Sequence, residues 1–298
     1  MYPKAHDNIS SMDDTLILTE LAKTVYYWLN YINSVSRTEL LLESSLRYPI
    51  SEFTERRLHQ NCFLEIQHPH FETRPMDFVW LENVNIANFD PKIFCKGAFV
   101  MECKCAAYGM NTPHQRQEIF DDLCRLYFVL KNCPSAHALF MMAGEKKPFT
   151  KQFEKSQTRT PACNVTVNTD SLDIKIADVQ VYDIEIEENK IEIPDKKSES
   201  LQQEDPKIYK SAYKDWFKFD LKNPVQEINT SDIKNKSYFE TFVDTYKLST
   251  SQDINFQTRL ISYIHQDENA SINMQSSQVV AIWQVELCEE KGAEKKQN

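Results

Sequence analysis

The sequence predicts an α/β domain built on a mixed central sheet flanked by helices, followed by a C-terminal α+β region. Three observations carry that expectation. The first half reads as helix, strands, helix, strand; beyond Gly144 the pattern turns to short period-two alternation; and the Lys190–Lys207 stretch, rich in Glu, Asp, Lys, Ser and Gln, has the composition of a linker. A chain of 298 residues with 41% hydrophobic and 26% charged residues has the profile of a folded globular protein. Domains of roughly 100–150 residues are usual, so the chain divides into residues 1–159 and residues 160–298.

In order, Leu16, Leu18, Leu21, Val25, Tyr26, Leu29 and Ile32 recur at helical spacing and predict a helix from Asp13 or Asp14 to about Asn33. A second helix is expected over Arg37–Arg47. After Tyr48-Pro49, a short helix capped by Ser51 and ending near Arg56-Arg57 leads to a strand over Cys62–Ile66. Met76–Leu81 and Ala98–Cys105 read as an antiparallel pair of strands. Gln115–Lys131 is a helix with Ile119, Phe120, Leu123, Leu126, Tyr127 and Leu130 as its buried stripe. Ala136–Met142 follows as an apolar strand. Past Gly144 the sequence predicts a basic helix over Lys147–Arg159, strands at Asn164–Val167, Leu172–Ile176 and Val179–Ile186, aromatic helices around Trp216 and Phe242, and a last strand over Gln278–Leu287.

The chemistry concentrates at Glu102-Cys103-Lys104. Residues two apart on a strand share a face, so the carboxylate and the ammonium point the same way. The acid-x-Lys spacing alone says little, because ten other tripeptides in the chain have it. Placement separates this one: Phe99-Val-Met precedes it and Cys-Ala-Ala follows, so both charges lie in an apolar strand, where an unpaired charge costs several kcal/mol. Asp77 on the neighbouring strand supplies a second carboxylate. Two carboxylates suffice for Mg2+, which takes hard oxygen ligands and keeps several waters.

From Asp77, the Met101–Lys104 run, the helix bearing Gln115, Gln117, Asp122 and Arg125, and the apolar strand ending at Gly144, the chain resembles the restriction-endonuclease-like, or PD-(D/E)xK, nuclease superfamily over roughly residues 36–145. The family pattern opens on Pro-Asp, whereas here Pro75 stands one residue early and Met76 precedes Asp77. The resemblance implies a restriction-endonuclease-like core and a metal-dependent endonuclease acting on DNA, plausible in restriction or defence. It assigns Asp77, Glu102 and Lys104 as catalytic, with Gln117 in support. Asp77, Glu102, the Cys103 carbonyl and Glu43, with Glu39 in reserve, would hold Mg2+, with Mn2+ as a substitute. The alternative is a module of the same fold that binds or assembles without cleaving.

Lys147, Lys151, Lys155 and Arg159, four residues apart, form a stripe down the expected basic helix and, with Arg74, are the candidate contacts to a phosphate backbone. The formal charge is -10, with 15 Lys and Arg against 18 Asp and Glu in residues 1–150 and 19 against 26 in the rest. An acidic protein is a poor non-specific nucleic-acid coat, so DNA contact is expected to be local. The acidic C-terminal half suggests a homodimer or a partner protein. No secretory signal and no run of about 20 apolar residues is present, giving an expectation of a cytoplasmic protein without membrane contact. The sequence contains no G-x-S-x-G, no Walker loop and no Cys-x-x-Cys pair. His68-Pro-His70 near the cysteines is the one, weak, suggestion of zinc.

Overall fold

Apolar residues three and four apart fold α1 (Asp14–Ser34), which buries Ile17, Leu18, Leu21, Ala22, Val25, Leu29 and Ile32 on one side. The computed structural model describes residues 14–37, 40–72, 74–81, 98–106, 113–154, 165–167, 174–176, 217–248, 252–265 and 278–288. The helix expected over Arg37–Arg47 is not seen among the described residues of that stretch. A 3-10 turn at Glu43–Leu46 runs instead into α2 (Arg47–Glu52) and a π turn at Phe53–Arg57. Pro49 is therefore inside a helix and not a break before one. As the third residue of α2 its missing N–H falls among the first-turn donors that have no intrahelical partner.

Three antiparallel strands follow: β1 (Asn61–Gln67), β2 (Pro75–Leu81) and β3 (Phe99–Ala106). The crossover through α3 (Pro113–Asn132) then returns the chain as β4 (His137–Glu145), parallel to β3 from Phe99↔His137 to Ala106↔Gly144. Gly144 closes that ladder with φ 142°, and a Cβ there would lie 2.4 Å from the Ala106 carbonyl oxygen, so no larger residue fits. Next comes α4 (Lys146–Phe153). A short ladder of β5 (Val165–Val167) and β6 (Ile174–Ile176) belongs to a separate unit, residues 155–209. The strand expected at Val179–Ile186 lies outside the described residues.

The remaining elements are β7 (Val225–Asn229), α5 (Ile233–Tyr246), β8 (Asn255–His265) and β9 (Gln278–Leu287). They do not build a separate C-terminal region. The seven-stranded sheet has the order β1-β2-β3-β4-β9-β8-β7, so the second half of the chain completes the sheet begun by the first. The division expected after residue 159 is corrected accordingly: one unit comprises residues 1–154 and 210–298. The reason is legible in β9. Val279-Val-Ala-Ile-Trp283 is apolar on both faces and fully buried, which only a central strand provides, and it pairs antiparallel with β4.

Period-two alternation sorts the sheet residues between two cores. Phe78, Trp80, Met101, Cys103, Leu139, Met141 and Ile282 pack with α1 and α2 on one face. Val79, Val100, Phe140, Met142 and Trp283 pack on the other face with residues of α3, α4 and α5. Each fully buried large side chain contributes about 1.5–3 kcal/mol by leaving water. Glu102 interrupts the second pattern: it stands on the α3 side of β3, 1% exposed, among apolar neighbours.

Candidate active site

Asp77 occupies a break in the sheet. β2 pairs with β3 at Trp80↔Phe99, Val79↔Val100 and Phe78↔Met101 and no further. Where the next rung would be, the Asp77 carboxylate accepts the Cys103 N–H at 2.8 Å, so a side chain replaces the backbone ladder. On its other flank β1 pairs at Leu64↔Phe78 and Ile66↔Met76 but skips Glu65, whose φ is 52°. A glutamate held in the left-handed region costs about 1 kcal/mol or more, and such strain concentrates at functional positions. Arg47, at the start of α2, holds Glu65 in an ion pair.

Around this break four carboxyls face two cations. Lys104 Nζ lies 3.3 Å from Glu43 and 3.1 Å from Asp122. Arg125 Nη2 lies 2.7 Å from Glu102 Oε1, and Arg125 Nη1 lies 3.2 Å from Asp122 Oδ1. Lys104 donates hydrogen bonds to Glu43 and Arg125 Nη1 donates to Asp122 Oδ1, whereas Glu102 Oε1 and Asp122 Oδ2 are buried ion-pair partners with no donor in hydrogen-bonding geometry. Burial pushes the Glu102 carboxyl well above the ordinary carboxylate range, against the pull of Arg125 and with the push of Asp122 and Asp77. Asp77 is raised for the same first reason, although the Cys103 N–H and a hydrogen bond from Glu102 draw it back. Glu43 is also raised by burial, which outweighs Lys104. For Lys104 burial acts downward, but Asp122, Glu43 and Asp77 together outweigh it and push the ammonium up, so it stays charged.

The structure thus brings Asp77, Glu102 and Lys104 together, as the strand spacing suggests, and adds Glu43, the acid the resemblance implies. Cys103 shares the site through its backbone, while its thiol is buried in the α1 core. Glu39 lies outside the described residues. Among the described residues no three His, Cys, Asp or Glu side chains are grouped to hold a metal ion. The donor set nonetheless fits a hard divalent cation. Asp77 and Glu102 offer two oxygen ligands in contact with each other, and the four-to-two carboxyl surplus is a deficit of positive charge.

Gln117 does not belong to the site. It sits about 140° around α3 from Asp122, and its amide donates to Asp121 at 2.7 Å and to the Tyr238 carbonyl at 2.9 Å, joining α3 to α5. The basic stripe is also corrected. α4 stops at Phe153, because Glu154 is extended and the Phe153 carbonyl takes the Phe219 N–H at 2.7 Å. Lys147 and Lys151 share α4, but Lys155 and Arg159 lie past its end, outside the described residues. Arg74 is exposed just before β2, and its carbonyl accepts Arg125 at 3.4 Å.

Asp122 and Arg125, three residues apart on α3, have the spacing of a plain intrahelical pair. They do pair, but both also reach β3. The missed signal is their position: each falls in the buried arc of α3, among Ile119, Leu123 and Leu126, where a surface pair has no place.

His68 is not a zinc ligand, since backbone groups take both ring nitrogens. Nδ1 accepts the His70 and Phe71 N–H groups at 3.0 and 3.3 Å, so Nε2 carries the proton and donates to the Arg125 carbonyl at 3.0 Å. Burial, which dominates, and the neighbouring Arg125 and His70 charges lower its pKa from 6.5 to about 3. With the folded value depressed, the unfolded chain takes up the proton first, and the stability from a neutral His68 is complete above pH 6.5 and declines toward pH 3. Near pH 5.5 the loss is about 1.4 kcal/mol. In an NMR titration the His68 ring signals are expected not to move between pH 8 and pH 5; movement with a midpoint near 6.5 refutes the assignment.

No protein family, curated protein or solved structure matches the chain. No helix among the described residues is long and apolar enough to cross a membrane.

Proposed function

We propose that the chain is a Mg2+-dependent DNA endonuclease with a restriction-endonuclease-like core. The observation that carries this reading is the break in the sheet at Asp77. There a carboxylate displaced from the ladder meets Glu102, with Lys104 two residues on and a surplus of acid around them. The element order supports it: α1, three antiparallel strands, a crossover helix and a fourth strand parallel to the third.

Asp77 and Glu102 would hold the Mg2+ ion, with Glu43 and the Cys103 carbonyl as further oxygens; when bound, the ion supplies positive charge for the scissile phosphate and an acidified water. Lys104, kept protonated by Asp122 and Glu43, is not a general base. It donates hydrogen bonds to the attacking water and to the phosphate oxygens as their charge grows. Lys147 and Arg74, both exposed, remain candidates for contacts to the phosphodiester backbone.

A second reading, a binding module that does not cleave, is favoured by one observation: in this structure Arg125 pairs with Glu102. One assay separates the two. Wild type and Asp77→Asn are incubated with plasmid DNA, single-stranded DNA and RNA, each with Mg2+ and with Mn2+. Metal-dependent DNA cleavage by wild type and its loss in Asp77→Asn are expected. Intact substrates throughout leave the binding module.

A further inference from the structure

We infer that Arg125 is a positioning residue: a single buried guanidinium that sets where the metal-holding carboxyls of β2 and β3 stand relative to each other. The inference rests on the proposed function and deepens it. An Asp and an Arg three apart on a helix satisfy each other on the helix surface. Arg125 does more. It is 4% exposed, and while Nη1 pairs with Asp122, Nη2 reaches two strands. Nη2 lies 2.7 Å from Glu102 on β3 and also donates to the Pro75 carbonyl, the first residue of β2 and two residues before Asp77. It lies 3.4 Å from the Arg74 carbonyl as well. Through Asp122, whose other oxygen is 3.1 Å from Lys104 Nζ, the same group bears on the site lysine. One side chain therefore joins the strand of Asp77, the side chain of Glu102 and the partner of Lys104.

Arg125 is itself held. His68 donates to its carbonyl at 3.0 Å from the loop that links β1 to β2, fixing this turn of α3 against the strands. The break at Asp77 makes such a tie necessary. Below Phe78↔Met101 no backbone rung holds β2 to β3, so the separation of the Asp77 and Glu102 carboxyls is set by side chains alone. The planar fork fixes Nη2 on the Pro75 carbonyl and Glu102 while Nη1 holds Asp122; a lysine ammonium offers one freely rotating nitrogen in place of two fixed ones.

The test measures Mn2+ binding to the apo protein by calorimetry, for wild type, Arg125→Lys and, as a control for general destabilisation, Ile282→Val. Arg125→Lys keeps the charge and removes the fork. It is expected to bind Mn2+ about 10–100-fold more weakly, the loss typical of a group that orients a metal ligand, while Ile282→Val binds as wild type does. Wild-type affinity in a folded Arg125→Lys protein overturns the inference. Should that variant not fold, a crystal structure of Mn2+-loaded wild type decides. Arg125 still bridging Glu102 and the Pro75 carbonyl supports the inference, and a guanidinium that has left them overturns it. Failure of wild type itself to bind Mn2+ overturns the nuclease reading and this inference with it, a result distinct from a loss confined to Arg125→Lys.

Discussion

Glu102→Gln is expected to remove Mg2+-dependent cleavage, by more than about 10²-fold, while leaving the protein as stable as wild type or more so. The two effects have one cause. Glu102 is buried beside Asp77 and Asp122, and desolvation lifts its pKa well above the usual range, so the fold favours the protonated acid over the carboxylate more than water does. A glutamine has nearly the shape and the charge of that protonated acid, and Arg125 keeps Asp122 as a counter-ion at 3.2 Å. The substitution is therefore mild for the fold. It is severe for chemistry, because a neutral amide lacks the charge that a metal ligand needs, and loss of even an outer-shell group typically weakens such sites 10–100-fold. Thermal unfolding and the cleavage assay, run on the same preparation, check both halves. A destabilisation of 3 kcal/mol or more, the size that follows loss of one partner from a needed buried ion pair, would show that Glu102 serves the fold and not a reaction.

What can be read from the sequence alone depends on how local the cause is. α1, β2, β3, α3, β4 and β9 follow from spacing, because each buries a stripe or a strand face that its own residues declare. Pairing Asp77 with Glu102 and Lys104 is legible for the same reason: two strands and a period of two. Pro49 misleads because its effect depends on where in a helix it falls, which the residues around it leave open. The strip at Lys147–Arg159 misleads because lysines four apart describe a helix face without saying where the helix ends. Its end is set by Phe219, sixty-odd residues on, which binds the Phe153 carbonyl. β7 escapes notice because Val225–Asn229 is a five-residue edge strand whose partner β8 is distant in sequence. The roles of Asp122 and Arg125 are hidden by a sufficient local explanation, the i, i+3 pair, and emerge only when α3 is laid over the sheet.

Lys104→Met is expected to destabilise the protein by about 1–3 kcal/mol at pH 8 and by clearly less at pH 5. Removing this cation, 18% exposed in its side chain, leaves the partly exposed Glu43 without the ammonium 3.3 Å from it and the buried Asp122 with Arg125 as its remaining cation, so the compensation of the carboxyls is reduced but not lost. A solvated surface lysine would be worth under about 0.5 kcal/mol. The pH dependence follows from the direction of the neighbouring shifts. Glu43, Asp77 and Glu102 have folded-state values raised above their unfolded ones, so above about pH 4 these three groups hold more protons in the folded state than in the unfolded chain. Their contribution to stability then falls as pH rises through the folded values and is restored as pH falls and the carboxyls are neutralised, while the opposite contribution of His68 is common to both proteins. Lys104 works against that fall, because its own raised value keeps it charged throughout this range. Without it the carboxyls face one cation, Arg125, and the decline with pH steepens. Asp121, raised to about 7 mainly by burial, adds to the decline in both proteins and cancels in the comparison. Urea unfolding of wild type and variant at the two pH values gives the difference directly. Equal destabilisation at pH 5 and pH 8 would mean that Lys104 acts by packing, and that the acid surplus around Asp77 has no electrostatic hold on the fold.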